Sequence, residues 1–169
     1  MKLLGALLAF AACIYAGLIK MRCLNEKENC LKAVSDCLLL TSNFMERTND
    51  SLPDIFIALS KQCTGIAGAF FGALEEKIGN IGECSFSQIW NETIKKIFPG
   101  LDRREMEEIS RLGFVLGRSD TYTQITEMRN CEQMINRTLG QLRNDLPKRK
   151  KLTMGLSATA GAFAVILLI

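Results

Sequence analysis

The chain of 169 residues contains no histidine. Histidine is the usual general base, the usual partner of a nucleophilic serine or cysteine, and the commonest metal ligand. No Cys-x-x-Cys pair and no glycine-rich phosphate-binding loop occurs either. We therefore expect no catalytic residues, no metal, no cofactor and no small-molecule substrate. The protein is predicted not to be an enzyme.

Strand-forming sequence is equally scarce. Aromatic residues make up 7% of the chain, only 3 prolines occur, and no alternating apolar pattern of useful length is present. The formal net charge of +3 is too small to indicate a nucleic-acid partner. These features predict an all-α fold: a helical bundle flanked by N- and C-terminal transmembrane helices.

Seven cysteines are present, an odd number that does not indicate a complete set of disulfides. Cys23, Cys30 and Cys37 lie seven residues apart beside a repeat of leucines, on one stripe of a long helix. Neighbours on this stripe are about 10 Å apart, too far to share one metal ion. We interpret the three as small core-facing hydrophobic residues. Free thiols also favour the reducing cytoplasm for the main domain.

Both ends of the chain are apolar. Residues 1–19 carry only Lys2 as a charged side chain, and residues 152–169 carry none. Basic residues lie just inside both segments, at Lys20 and Arg22 and in the run from Lys148 to Lys151. The positive-inside rule then places both termini outside the cell and the intervening chain in the cytoplasm. We predict a transmembrane helix at 1–19, a cytoplasmic helical domain at 20–151, and a second transmembrane helix at 152–169.

The N-terminal segment has an alternative interpretation as an export signal. Ala9-Phe10-Ala11 resembles a signal-peptidase site, and the residues before Cys13 form a loose lipobox. The protein would then be an exported lipoprotein with a helical domain anchored at Cys13. The apolar run continues past this position, which favours the membrane anchor.

Local signals predict where several helices begin and end. Asp50 or Ser51 is expected to cap a second helix, and capping boxes are expected at Ser85 with Gln88 and at Asp102 with Glu105. Pro147 should end or kink the last helix near the membrane.

The segment from Leu112 to Gln124, LGFVLGRSDTYTQ, carries the most specific pattern. Gly113 would allow a close helix contact, Gly117 a tight turn, and Asp120 with Gln124 a helix cap. A second interpretation is that this turn binds a partner protein through Arg118, Ser119 and Asp120. Both interpretations stay open on the residues alone.

This segment resembles the LGxxLGxxDxxxQ signature of the stage III sporulation protein AB family of endospore-forming bacteria. The matching residues are Leu112, Gly113, Leu116, Gly117, Asp120 and Gln124. That family is similar to the helical cytoplasmic domain of the inner-membrane platform proteins of type II secretion and type IV pilus machines.

The resemblance implies a membrane component of the assembly that links mother cell and forespore. It also implies three kinds of partner: the lipid bilayer, other stage III sporulation membrane proteins, and the secretion-ATPase-like protein of the same operon.

Overall fold

The structure, a computed structural model, describes residues 2–48, 50–79 and 84–168. Within these ranges, the side chains described exclude those of 2–10, 13–14, 149–150, 153–154, 157–158 and 160–168. In this part of the chain the regular structure is entirely helical, which confirms the predicted all-α class. The six helices are α1 (Lys2–Arg47), α2 (Leu52–Gln62), α3 (Gly65–Ile78), α4 (Phe86–Ile97), α5 (Arg103–Val115) and α6 (Thr121–Leu168).

The chain divides into two compact units. The first unit consists of residues 1–28 and 140–169, and the second of residues 29–139. Within the first unit, Nε of Arg143 on α6 donates to Oε1 of Glu28 on α1 at 2.8 Å. This exposed ion pair joins the two helices near one end of the unit.

Aromatic side chains form the centre of the second unit. Phe56 of α2, Phe70 and Phe71 of α3, and Trp90 of α4 are almost completely buried. Their rings stack or meet edge to face, with centroid distances of 5.3 Å between Phe70 and Phe71 and 5.5 Å between Phe70 and Trp90. Full burial of one such side chain contributes roughly 1.5–3 kcal/mol. This cluster holds α2, α3 and α4 together.

The second unit also contains parts of α1 and α6, which run antiparallel there. Glu46 pairs with Arg129 at 2.6 Å, and the hydroxyl of Ser35 donates to Oδ1 of Asn136 at 2.8 Å. The apolar stripe of α1 faces inward, and its buried members are Cys30, Leu31, Val34, Cys37, Leu38 and Met45. Two of the three cysteines therefore lie in the core as predicted.

Cys23 differs from this prediction because its side chain is exposed. The seven-residue spacing is preserved at this position, but the second unit begins only at Asn29. A repeat along one helix cannot indicate where its packing partner stops.

Both predicted capping boxes are confirmed. At the start of α5, Oδ1 of Asp102 accepts from the Glu105 N–H at 3.0 Å, and Oε2 of Glu105 accepts from the Asp102 N–H at 2.8 Å. At the start of α4, Ser85 and Gln88 make the reciprocal pair. Ser51 is the N-cap residue of α2, but its side chain makes no hydrogen bond to the helix backbone. Its hydroxyl donates to Asp54 instead.

Pro147 was predicted to end or kink the last helix, and the first alternative is wrong, because α6 continues through this residue to Leu168. Proline removes one backbone donor, and a helix can accept that local loss when both sides remain helical.

Among the residues searched, no helix is both long enough and apolar enough to cross a bilayer. The predicted transmembrane helices at 1–19 and 152–169 are therefore not supported by the described residues. Most of their side chains, including Cys13 of the lipoprotein alternative, lie outside the described set.

Asp102 caps its helix through its side chain and Ser51 does not, so the two residues give a matched test of capping. We expect Asp102→Ala to lower the free energy of unfolding by about 1 kcal/mol, because the Glu105 N–H at the start of α5 loses its side-chain acceptor. Ser51→Ala is the control and should cost about 0.5 kcal/mol or less, since its side chain caps no amide. Denaturant unfolding of the full-length chain measures both, and equal losses would contradict this assignment.

Candidate functional site

The Leu112–Gln124 segment begins where α5 packs against α4. Trp90 is 2% exposed, and its Nε1–H donates to the carbonyl oxygen of Ile109 at 2.9 Å. A Cβ placed on Gly113 would lie 2.8 Å from Cδ1 of Trp90, closer than real side chains approach. Glycine at 113 therefore allows the indole ring to lie directly against the backbone of α5.

Gly117 makes the turn that follows α5. Its φ of +78° is in the left-handed region, which glycine adopts without the steric cost that a Cβ imposes. Before it, Leu116 is the C-cap residue and is buried. The backbone N–H groups of Arg118 and Ser119 both donate to the carbonyl oxygen of Val115 at 3.2 Å. The turn therefore satisfies a carbonyl at the end of the helix.

Gln124 fixes this turn from the first part of α6. Its Oε1 accepts from the Gly117 N–H at 3.3 Å, and its Nε2 donates to the carbonyl oxygen of Ser119 at 2.6 Å. The sequence predicted instead that Gln124 would complete the cap at Asp120. Gln124 is buried and joins two backbone groups of the turn, so it holds the loop in one conformation.

Asp120 caps α6 without help from Gln124. Oδ1 of Asp120 accepts from the Thr123 N–H at 3.0 Å, and the Thr123 hydroxyl donates to Oδ2 at 2.6 Å. These bonds favour the carboxylate and hold the pKa of Asp120 below its usual value. The negative charge of Asp120 lies at the N-terminus of α6, where it interacts favourably with the positive end of the helix dipole.

The residues predicted to bind a partner lie together on this turn. Arg118 and Asp120 are exposed, and Ser119 is half-buried. Of the other members of the pattern, Gly117 is exposed, and four are buried: Leu112, Gly113, Leu116 and Gln124. The arrangement therefore places one cation and one anion on a turn whose backbone is held from below.

A depression of about 460 Å³ lies beside the turn. Its walls combine Gly117 and Gln124 with Met45, Asp50 and Ser51. Asp50 is the one titratable residue that lines it. This set offers hydrogen-bonding groups but no pair of groups suited to acid–base or nucleophilic chemistry. In the part of the chain that the structure describes, no group of three metal-ligating side chains occurs.

Sequence reasoning missed two exposed aromatic residues that flank the turn. Phe114 is 57% exposed and Tyr122 is 80% exposed. Phe114 directly follows Gly113, and one helical step rotates a side chain by about 100°, away from the buried face. The position of Phe114 beside the apolar stripe of α5 could have predicted its exposure from the sequence.

The requirement for glycine at position 113 can be tested by comparison with Gly140, another glycine within a helix. We expect Gly113→Ala to lower the free energy of unfolding by about 1–3 kcal/mol, because the new methyl group overlaps Trp90. Gly140→Ala is the control, since no atom lies within 4 Å of a Cβ there. It should be neutral or stabilising, by up to about 1 kcal/mol from helix propensity. Thermal unfolding compares the two, and a harmless Gly113→Ala would contradict the close packing.

Comparisons with known proteins give a family match and a similar fold. A family model described as "Stage III sporulation protein AB" matches residues 2–169. Among solved structures, the fold is similar to one titled "Stage III sporulation protein AB (SpoIIIAB)", with a TM-score of 0.60 and 16% sequence identity. That match covers 72% of this chain and 96% of the other, and at this identity it shows the fold alone. No curated protein sequence matches. The chain belongs to the stage III sporulation protein AB family.

Proposed function

We propose that this protein is a non-catalytic membrane scaffold of the assembly that links mother cell and forespore during sporulation. The observation that carries the proposal is the family match over residues 2–169, which supports a sporulation-related role. The rigid turn at 116–120 supports the scaffold part of the proposal. Its side chains form a surface for contact rather than a site for chemistry.

The proposed location is the cell membrane, with two spans at 1–19 and 152–169. The main domain would lie on the mother cell side, and both termini would lie outside the cytoplasm. Lys20, Arg22 and the run from Lys148 to Lys151 support this orientation through the positive-inside rule. The proposed partners are the bilayer, other stage III membrane proteins and the secretion-ATPase-like protein of the operon. Nucleic acid is not among them.

The turn is the proposed contact point for one of these protein partners. Arg118 and Asp120 are exposed, and the hydrogen bonds of Gln124 hold the backbone that carries them. A preformed surface loses little conformational entropy on binding, which favours affinity.

Native cysteines report the orientation of the domain. Cys84 is exposed, whereas Cys131 is buried and its pKa is raised to about 12 by desolvation, assisted by nearby carboxylates. A raised pKa lowers the thiolate fraction near neutral pH, so Cys131 should react slowly. In intact spheroplasts we expect an impermeant maleimide to label neither residue. Permeabilisation should expose Cys84, and only denaturation should expose Cys131.

Peptide mass spectrometry assigns each label, and Cys84→Ser is the control for specificity. Labelling of Cys84 in intact spheroplasts would contradict the cytoplasmic location. Acyl lipid on Cys13 would establish the lipoprotein alternative instead.

The turn itself can be tested in a deletion strain complemented with variants. We expect Arg118→Glu and Asp120→Ser to reduce the yield of heat-resistant spores toward that of the deletion strain. Serine preserves helix capping at position 120, so this variant removes charge rather than structure. Arg104→Glu, an exposed residue near the start of α5, is the control and should restore full yield.

Protein abundance and thermal stability should be unchanged in all three variants. Full spore yield from both turn variants would exclude the turn as a partner surface. Normal sporulation of the deletion strain itself would contradict the proposed function.

A further inference from the structure

A groove of about 320 Å³ lies between α5 and α6 in the second unit, on the side of Phe114. Its apolar lining includes Leu112 and Val115 from α5 and Cys131 and Met134 from α6. Phe114 is 57% exposed at its edge, and Val115 and Met134 are half-buried. Part of the apolar surface of Phe114, Val115 and Met134 is therefore uncovered along this groove.

Both walls of the groove have helical spacing. Besides Phe114 at the edge, the lining residues on α5 are Glu108, Arg111, Leu112 and Val115, and those on α6 are Glu127, Asn130, Cys131 and Met134. Each set follows the i, i+3, i+4, i+7 pattern of one helix face. Two such faces directed into one groove form a surface on which a third helix can pack.

The charges at the rim indicate the chemistry of that helix. Glu108 lines the wall of α5, and Glu127 lines the wall of α6. Arg111 is the one cation of the lining, and its Nη1 already bonds Oε2 of Glu108 at 3.3 Å. Glu132 lies close as well, since it joins the other two carboxylates in raising the pKa of Cys131. The rim is therefore acidic overall and complements a basic partner.

We propose that this groove binds an amphipathic helix of a partner protein, with aliphatic side chains facing the groove and lysine or arginine residues on its flanks. The proposal rests on the scaffold function above, and it specifies the chemistry of one partner. An anionic lipid surface does not fit, because Glu108 and Glu127 would repel it. A symmetric contact with a second copy would place the acidic rims against each other.

The test places a photo-reactive benzoylphenylalanine at position 114 of the full-length protein in sporulating cells. Position 122 is the matched control, because Tyr122 is also an exposed aromatic residue but does not line the groove. We expect position 114 to cross-link to a peptide of another protein that has the apolar spacing and basic flanks described above. Position 122 should not cross-link to that peptide.

Charge reversal then tests the electrostatic part. Glu108→Lys with Glu127→Lys should reduce the cross-link from position 114 about tenfold, and reversing the basic residues of the mapped peptide should restore it. Glu107→Lys is the control, because this exposed residue pairs with Arg103 outside the groove.

The proposal is overturned if position 114 yields no cross-link, links to a second copy or to lipid, or links to the same peptide as position 122. It is equally overturned if the double reversal leaves the cross-link unchanged.

Spore yield separates failure of this proposal from failure of the proposed function. Normal spore yield from the deletion strain would contradict the proposed function. If the deletion strain is defective and the Glu108→Lys, Glu127→Lys variant restores its spore yield fully, only the proposal that the groove binds a partner helix fails.

Discussion

The contact between the Trp90 ring and the backbone at Gly113 supports the rest of the second unit. The indole lies within 6.5 Å, centroid to centroid, of the rings of Phe56 and Phe70, which belong to α2 and α3. Its N–H reaches the carbonyl oxygen of Ile109 on α5. One buried side chain of α4 thus joins four helices, and it combines a large apolar area with one satisfied polar group.

This packing determines how the candidate surfaces are presented. Because Gly113 lies against Trp90, the next residue, Phe114, points away from the core and borders the α5–α6 groove. Gln124 then bonds both Gly117 and Ser119, so the turn that follows cannot rearrange without breaking two partly buried hydrogen bonds. The same buried framework therefore presents two different surfaces, one apolar with an acidic rim and one polar.

The sequence predicted both capping boxes, but it missed the exposure of Cys23 and the backbone partners of Gln124. The capping boxes at Ser85 and Asp102 involve residues only three positions apart, so local chemistry is sufficient to form them. Cys23 continues the helical stripe yet is exposed, and Pro147 lies within a helix that does not end there. The exposure of Cys23 depends on what packs beside the helix, which periodicity along one segment does not contain.

The sequence by itself determined the helical class, the two capping boxes and the family, because spacing and capping act over a few residues and the signature is continuous. Only the tertiary structure decided which glycine is sterically required and which backbone groups Gln124 binds. It also decided that Glu108 and Glu127 border one groove. The Gly113–Trp90 contact and the groove join residues of different helices, and the hydroxyl of Ser35 on α1 reaches Asn136 on α6 across 101 positions. Such contacts exist only after the helices have packed.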